Sequence, residues 1–167
     1  QKITHFESDQ NIPGAYNDRT TWAAFVSQDG VLWISTLFGT LYRIDPMQSE
    51  IPFIELPGQE VECFYEGEDG TLWLGGDKIF VSDNKYADII QRINNELNRT
   101  STNFSYVKVI KEDSKGNILI GGGGGLIILN ITTKQFIHYK NDPGNSNTLS
   151  NNNIISISED SKNNLWI

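Results

Sequence analysis

Short apolar runs alternate with polar turns along the whole chain, and one arrangement of them occurs four times. Each copy has an acidic turn followed by an apolar run: SQDGVLWIS, GEDGTLWLG, KEDSKGNILIG and SEDSKNNLWI. The same place in the run is taken by Trp33, Trp73, Leu119 and Trp166, which gives spacings of 40, 46 and 47 residues. A period of about 40 to 50 residues is typical of propeller blades.

The residues around each turn predict antiparallel strands. Apolar residues lie six and three positions before the aspartate in three copies: Ala23 and Val26, Val107 and Ile110, Ile154 and Ile157. Asp-Gly and Asp-Ser-Lys-Gly sequences favour tight hairpins, because glycine adopts positive φ freely and aspartate bonds its own backbone. Further turns follow the second and third runs and predict a third and a fourth strand. We therefore predict an all-β fold of four-stranded antiparallel propeller blades.

These turns divide the chain into blades. We assign residues 1–7 to the outer strand of a preceding blade, 20–56 to the first blade, 60–103 to the second, 104–140 to the third and 152–167 to the start of a fourth. Closed propellers have about four to eight blades. The chain is therefore expected to be an incomplete propeller fragment, whose partners include the remaining blades of the same protein.

One segment departs from the repeat. Between about residues 85 and 97, five apolar side chains recur at helical spacing: Tyr86, Ile89, Ile90, Ile93 and Leu97. We predict one inserted helix at the outer edge of the second blade. The last four of these side chains should pack against the outside of that blade or against a neighbouring chain, because an isolated helix of this length is marginal in water.

Composition excludes several classes of function. The 21 acidic and 13 basic residues give a net charge of −8, and the basic residues are scattered, so nucleic acid is not an expected partner. No run of 18 apolar residues and no signal peptide is present, so we expect no membrane segment within the chain. The single Cys63 excludes an internal disulfide and a cysteine-based zinc site.

Residues 138–167, HYKNDPGNSNTLSNNNIISISEDSKNNLWI, resemble the repeat of the two-component regulator propeller family. The matching positions are Leu149, Ser150, Asn152, Ile154, Ser156, Ile157, Glu159, Asp160, Leu165, Trp166 and Ile167. This resemblance implies the periplasmic sensor region of a hybrid two-component histidine kinase of Bacteroides-type bacteria, which detects oligosaccharides from polysaccharide breakdown. It further implies that a membrane helix, a downstream sensor domain and the kinase lie elsewhere in the parent protein.

Several repeated residues have a functional and a structural interpretation. The turn aspartates could be catalytic groups or calcium ligands, but aspartate at a hairpin is ordinary turn chemistry and each lies on a different blade. One aromatic residue per blade is usually core packing rather than a platform for sugar rings, so we interpret Trp33, Trp73 and Trp166 as core. His5 and His138 fall in outer strands, where we expect surface or packing residues. We expect no catalytic residue, metal or cofactor in this region.

Three functions stay open at this point. The favoured one is an extracytoplasmic sensor that binds an oligosaccharide and has no catalysis of its own. A propeller lyase or glycoside hydrolase is the enzymatic alternative, and a propeller that docks another protein without a small ligand is the third. A homodimer is compatible with each of them.

Ligand binding is predicted where the loops between blades meet the turns between second and third strands, since rigid scaffolds place binding residues on such loops. Aromatic, amide and charged side chains there suit a neutral or acidic sugar, with its ring stacked and its hydroxyls hydrogen-bonded. The predicted site residues are Tyr16, Arg19, Trp22, Phe38, Asp77, Lys78, Asn147 and Asn152.

Overall fold

Antiparallel sheets form most of the structure, a computed structural model that describes residues 20–37, 40–45, 53–55, 60–99 and 106–167. Its strands are β1 (Thr21–Val26), β2 (Leu32–Thr36), β3 (Thr40–Ile44), β4 (Phe53–Glu55), β5 (Val61–Glu66), β6 (Leu72–Gly76), β7 (Ile79–Val81), β8 (Val107–Glu112), β9 (Asn117–Gly122), β10 (Gly125–Asn130), β11 (Gln135–Tyr139), β12 (Ser158–Glu159) and β13 (Leu165–Trp166). One α-helix, α1 (Ala87–Arg99), follows a 3₁₀ turn at Asn84–Tyr86. Residues 1–7, predicted as an outer strand, lie outside the described residues.

The strands pair in chain order within each sheet. The chain divides into two compact units, Gln1–Val61 and Glu62–Ile167. Sheet β1-β2-β3-β4 belongs to the first unit, and sheets β5-β6-β7, β8-β9-β10-β11 and β12-β13 follow along the chain. Every pair of strands for which a register is defined is antiparallel. The predicted fold class, antiparallel propeller blades with one inserted helix, is confirmed.

The hairpins between first and second strands have a common backbone geometry. Each closes on a residue with positive φ, which is Gly30 (83°), Gly70 (76°), Gly116 (77°) or Asn163 (63°). The N–H of that residue donates a hydrogen bond to the carbonyl three positions earlier, at 2.9 or 3.0 Å. Glycine suits this left-handed conformation because it has no Cβ. The predicted hairpin turns are confirmed.

Aspartate fixes these turns from two different positions. Asp29 and Asp69 directly precede the positive-φ residue, whereas Asp113 and Asp160 lie three positions before it. In all four turns a carboxylate oxygen accepts a hydrogen bond from the N–H that follows the positive-φ residue, over distances of 2.8 to 3.3 Å. The interpretation of these aspartates as turn residues is therefore confirmed.

The alignment of the first strands by their aspartates is wrong for β1. The register shifts between Thr21 and Ala23 in β1 and between Val107 and Val109 in β8. Thr21, and not Ala23, therefore takes the place of Val107. Val26, predicted as an apolar strand position, is 62% exposed. The alignment failed because the aspartate lies at different distances from the positive-φ glycine in the two turns. Trp33 and its equivalent Leu119 both lie three residues after that glycine.

Helix α1 buries the four side chains predicted to face the protein. The exposed fractions of Ile89, Ile90, Ile93 and Leu97 are 2%, 6%, 0% and 5%. They form one apolar cluster with Trp73 and with residues of β7, β8, β9 and β10. The helix therefore packs against the second blade, as predicted, and also shares its core with the third.

Helix α1 takes the place next to β7 that a fourth strand has in the first and third blades. The Asn94 side chain accepts a hydrogen bond from the Ile79 N–H and donates one to the Ile79 carbonyl, both at 3.0 Å. Ile79 is only 1% exposed, so these backbone groups need a partner within the protein. One side-chain amide thus pairs with the sheet edge as a neighbouring strand would.

The second strand of one blade lies very close to the residues that begin the next blade. A Cβ added to Gly75 would lie 2.6 Å from Val107 Cγ1, and one added to Gly121 would lie 2.6 Å from Ile154 Cγ2. Gly75 and Gly121 occupy equivalent places, two residues after Trp73 and Leu119 respectively. The missing side chain lets consecutive sheets touch.

Gly121→Ala should destabilise the chain by about 1 to 3 kcal/mol, the usual cost of overpacking a core. The added methyl group would meet Ile154 at 2.6 Å and Val109 at 2.9 Å, and both are stiff β-branched side chains. Urea denaturation measures the effect. Gly144→Ala is the control, because its Cβ would meet nothing closer than 3.4 Å; equal stability of the two variants would contradict the packing argument.

Asn94→Ala should cost about 1 to 3 kcal/mol, because it leaves the N–H and the carbonyl of Ile79 without partners in a buried place. Asn95→Ala provides a matched control on the same helix, since Asn95 is exposed. The free energy of unfolding of both variants is measured by urea denaturation. If Asn95→Ala is as destabilising as Asn94→Ala, the amide does not act as a substitute strand.

Candidate functional site

Turns and one long loop lie at the same end of the sheets in the second unit. We define this region, the loop end, as residues 77–78 between β6 and β7, 123–124 between β9 and β10, and 140–154 after β11. The Gly125 N–H donates to the Asn152 carbonyl at 2.8 Å, and the Ile154 N–H donates to the Gly122 carbonyl at 2.9 Å. The long loop therefore lies against the β9–β10 hairpin.

Side-chain hydrogen bonds hold the long loop in shape. The Asn141 N–H donates to Asn152 Oδ1 at 2.6 Å, and Asn141 Nδ2 donates to the Leu149 carbonyl at 2.5 Å. Three further side chains accept a hydrogen bond from the N–H two residues later, at 2.8 to 3.0 Å: Asp142, Asn145 and Asn151. The predicted site residue Asn152 thus uses its side-chain oxygen within the protein. Asn147 presents an exposed side chain.

The β6–β7 turn carries two predicted site residues in different surroundings. The turn is closed by the Gly76 N–H, which donates to the Lys78 carbonyl at 3.1 Å. Lys78 is exposed. Asp77 Oδ1 is buried and has no hydrogen-bond partner among the residues that the structure describes. A lysine cation and a carboxylate oxygen without a partner therefore share this turn.

Trp22 lies within strand β1 and not in a loop, which corrects its predicted position. It falls at the register shift of that strand and is 48% exposed. Such irregularities re-aim a side chain and are common near binding sites. Lys108 occupies the equivalent place in β8. Sequence reasoning missed Lys108, because the shift becomes visible only when the strands are paired.

The predicted site residues are only partly brought together. Asp77, Lys78, Asn147 and Asn152 lie at the loop end of the second unit, whereas Trp22 belongs to the first unit. Tyr16, Arg19 and Phe38 lie outside the described residues. A single binding site formed by all eight residues stays a prediction.

A cavity lies at the end of the sheets opposite the loop end. It has a volume of about 460 Å³ and is lined by Tyr65, Glu68, Glu112, Asp113, Ser114 and Gly116. The Tyr65 hydroxyl donates to Glu112 Oε2 at 2.5 Å. Burial, followed by the bond to Glu112, raises the pKa of Tyr65. The Ser114 hydroxyl and N–H bind the carboxylate of Glu159 at 2.7 Å, so this end is engaged in contacts between sheets.

The three tryptophans predicted as core have different surroundings. Trp73 is 2% exposed, and its ring centroid lies 5.2 Å from that of Tyr86. Trp33 is partly buried. Trp166 is 65% exposed, and its indole N–H donates to Asp160 Oδ2 at 3.1 Å. The core interpretation is therefore confirmed for Trp73, and for Trp166, which lies in the two-stranded sheet β12-β13, it stays a prediction.

His138 is a packing residue, as predicted, and His5 lies outside the described residues. The His138 side chain is 7% exposed. Its Nε2 lies 2.8 Å from the Gly124 carbonyl, and its Nδ1 lies 3.4 Å from Glu96 Oε1 on helix α1. Lys140 approaches the same carboxylate at 3.1 Å and lowers the pKa of Glu96. These bonds join helix α1 to strand β11.

Among the turn carboxylates, Asp69 has the closest cation. Lys85 Nζ lies 2.7 Å from Asp69 Oδ2 and 2.8 Å from Asp83 Oδ2. The bond to Lys85, followed by bonds within the turn, lowers the pKa of Asp69 to about 2. Within the described part of the chain, no group of three His, Cys, Asp or Glu residues could hold a metal ion.

Two segments of the chain, residues 55–78 and 148–167, match the family model described as two component regulator propeller. They include the β5–β6 hairpin and the β12–β13 hairpin. No curated protein matches the chain. Within the described ranges, no helix has both the length and the hydropathy needed to cross a bilayer.

The chain is similar to solved extracellular domains from B. thetaiotaomicron. The domain assigned to the hybrid two component system BT3049 has 25% identity and a TM-score of 0.72, over 98% of this chain and 20% of that one. Two structures of the BT4673 domain are also similar. The one assigned to a one component system has 20% identity and a TM-score of 0.68. The one assigned to a hybrid two component system has 21% identity and a TM-score of 0.67. They cover 95% and 90% of this chain and 21% and 20% of their own. The chain spans about one fifth of the length of these domains.

Lys85→Met should make the stability of the chain less sensitive to acid. The folded pKa of Asp69 lies below its ordinary value of 3.8, so its contribution is present above about pH 4 and is lost as the pH falls towards 2. Without Lys85 the folded pKa of Asp69 moves back towards its ordinary value, so less stability is lost on acidification. Urea denaturation at pH 6 and pH 3 measures it, with Lys115→Met as the exposed control. Equal acid sensitivity of Lys85→Met and wild type would contradict the role of the ion pair.

Proposed function

We propose that this chain, which carries two component regulator propeller repeats, forms part of the extracytoplasmic ligand-sensing propeller of a hybrid two-component protein. The family match and the similarity to solved extracellular domains of such systems support a sensor role. In this proposal the chain lies in the periplasm. The remaining blades, a downstream sensor domain and a histidine kinase belong to the rest of the parent protein.

The proposed ligand is an oligosaccharide released by polysaccharide breakdown. The observation that carries this choice is the chemistry of the loop end. A lysine, an exposed amide and a carboxylate oxygen with no partner among the described residues lie there on a short hairpin and a hydrogen-bonded loop. Donors and acceptors on a rigid frame suit the many hydroxyl groups of a sugar.

Catalysis by this region is not part of the proposal. His138, the histidine within the described residues, is buried between a carbonyl and Glu96. A general acid or base must reach the substrate, and this imidazole is enclosed by its own packing. We infer that the region binds its ligand and passes the signal on, and that kinase activity resides elsewhere in the protein.

Lys78→Ala should weaken binding of a glycan oligosaccharide by about tenfold, because it removes a hydrogen-bonding group worth about 1 to 2 kcal/mol. Isothermal titration calorimetry on the intact sensor region, with a panel of neutral and acidic oligosaccharides, measures the affinity. Lys115→Ala is the control, since Lys115 is an exposed lysine in the turn between β8 and β9, at the opposite end of the sheets.

Unchanged affinity in Lys78→Ala would remove this residue from the site. Turnover of an oligosaccharide during the titration would favour a lyase or hydrolase over a sensor. Absence of binding across the panel would contradict oligosaccharide sensing.

A further inference from the structure

The β6–β7 turn holds a carboxylate oxygen in an unfavourable environment. Asp77 Oδ1 is buried, and none of the described residues donates a hydrogen bond to it. Buried polar groups in proteins nearly always have a partner. A buried oxygen without one has lost its hydration and gained nothing in exchange, so it destabilises the conformation that contains it.

The hairpin itself does not require this carboxylate. In the third blade, Gly123 and Gly124 stand where Asp77 and Lys78 stand in the second. The innermost strand pair is Gly75 with Ile79 in the second blade and Gly122 with Gly125 in the third, so the two turns differ in register. The third-blade turn nevertheless joins the same two strands without any side chain at these positions, so a carboxylate is not needed to connect them.

We propose that Asp77 is a ligand-binding residue, whose carboxylate accepts a hydrogen bond from a hydroxyl group of the ligand, and that the β6–β7 turn moves when this bond forms. This inference rests on the proposed function and names a residue and a conformational step of that same site. A hydroxyl donor would supply the partner that Asp77 Oδ1 lacks. Hydrogen bonds to a charged group are also among the stronger ones.

The movement follows from the burial of the oxygen. Because the chain covers Asp77 Oδ1, a ligand reaches it only after the turn shifts. The turn is short, and the hydrogen bond that closes it, from the Gly76 N–H to the Lys78 carbonyl, is 3.1 Å long. Lys78 is exposed beside it. The movement is favourable because the oxygen, which has no partner among the described residues, gains a hydrogen bond from the ligand.

Asp77→Ala in the intact protein tests both parts of the inference. In the ligand-free protein, hydrogen exchange over residues 72–82 should slow by about tenfold, because the unpaired oxygen is gone. Affinity for the best oligosaccharide of a panel of xylo-, manno- and galacturono-oligosaccharides should fall by about tenfold or more. Asp77→Asn keeps the size and one acceptor oxygen, so both effects should be smaller. Glu68→Gln, which removes an exposed charge at the opposite end, should change neither.

The outcomes separate this inference from the proposed function. Oligosaccharide binding that is equal in wild type and Asp77→Ala contradicts the inference and leaves the sensor role standing. Faster exchange over residues 72–82 in ligand-free Asp77→Ala shows that the carboxylate supports the turn, and also contradicts the inference. If the wild-type protein binds none of the oligosaccharides, both the proposed function and the inference are contradicted.

Discussion

Contact between consecutive sheets at Gly75 and Gly121 is the constraint on which the rest of the second unit depends. A side chain at either place would collide with Val107 on β8 or with Ile154 in the segment before β12. The Cys63 thiol lies in the same contact, and burial raises its pKa to about 12, so it stays protonated and serves as a small apolar group. In the first unit, Ser35 stands at the equivalent place and donates a hydrogen bond to the Val61 carbonyl at 2.6 Å. The residue at this position of each blade is therefore either a glycine or a serine whose hydroxyl bonds the backbone.

Helix α1 depends on this stacking, because its apolar side shares one core with the second and third blades. Asn94 bonds the edge of the second blade, and Glu96 bonds Lys140 and approaches His138 on the outer strand of the third. The helix therefore does more than fill the place of a strand. It joins the second and third blades through its packing and hydrogen bonds. The loop end of the same blades carries exposed polar side chains.

Sequence periodicity was sufficient to predict the blades, the hairpins and the buried side of the helix, because each follows from the spacing of apolar residues and from turn chemistry. It was insufficient for features that depend on strand pairing. The aspartate changes place between turns, so the first strand was aligned two residues out of register, and the irregularity that exposes Trp22 and its equivalent Lys108 was not visible. Asp77 was predicted from its turn, but that no described residue bonds its Oδ1 is a property of packing, which residue spacing does not reveal.

The most direct test of the account is hydrogen exchange of the intact sensor region with and without a bound oligosaccharide. If the loop end is the sensing surface, protection should appear over residues 72–82 and 140–154, because a ligand restricts the opening of the hairpin and the loop that it contacts. Residues 65–71 and 112–117, which line the acidic cavity at the opposite end, should exchange as before. Protection of that cavity in place of the loop end would contradict the account.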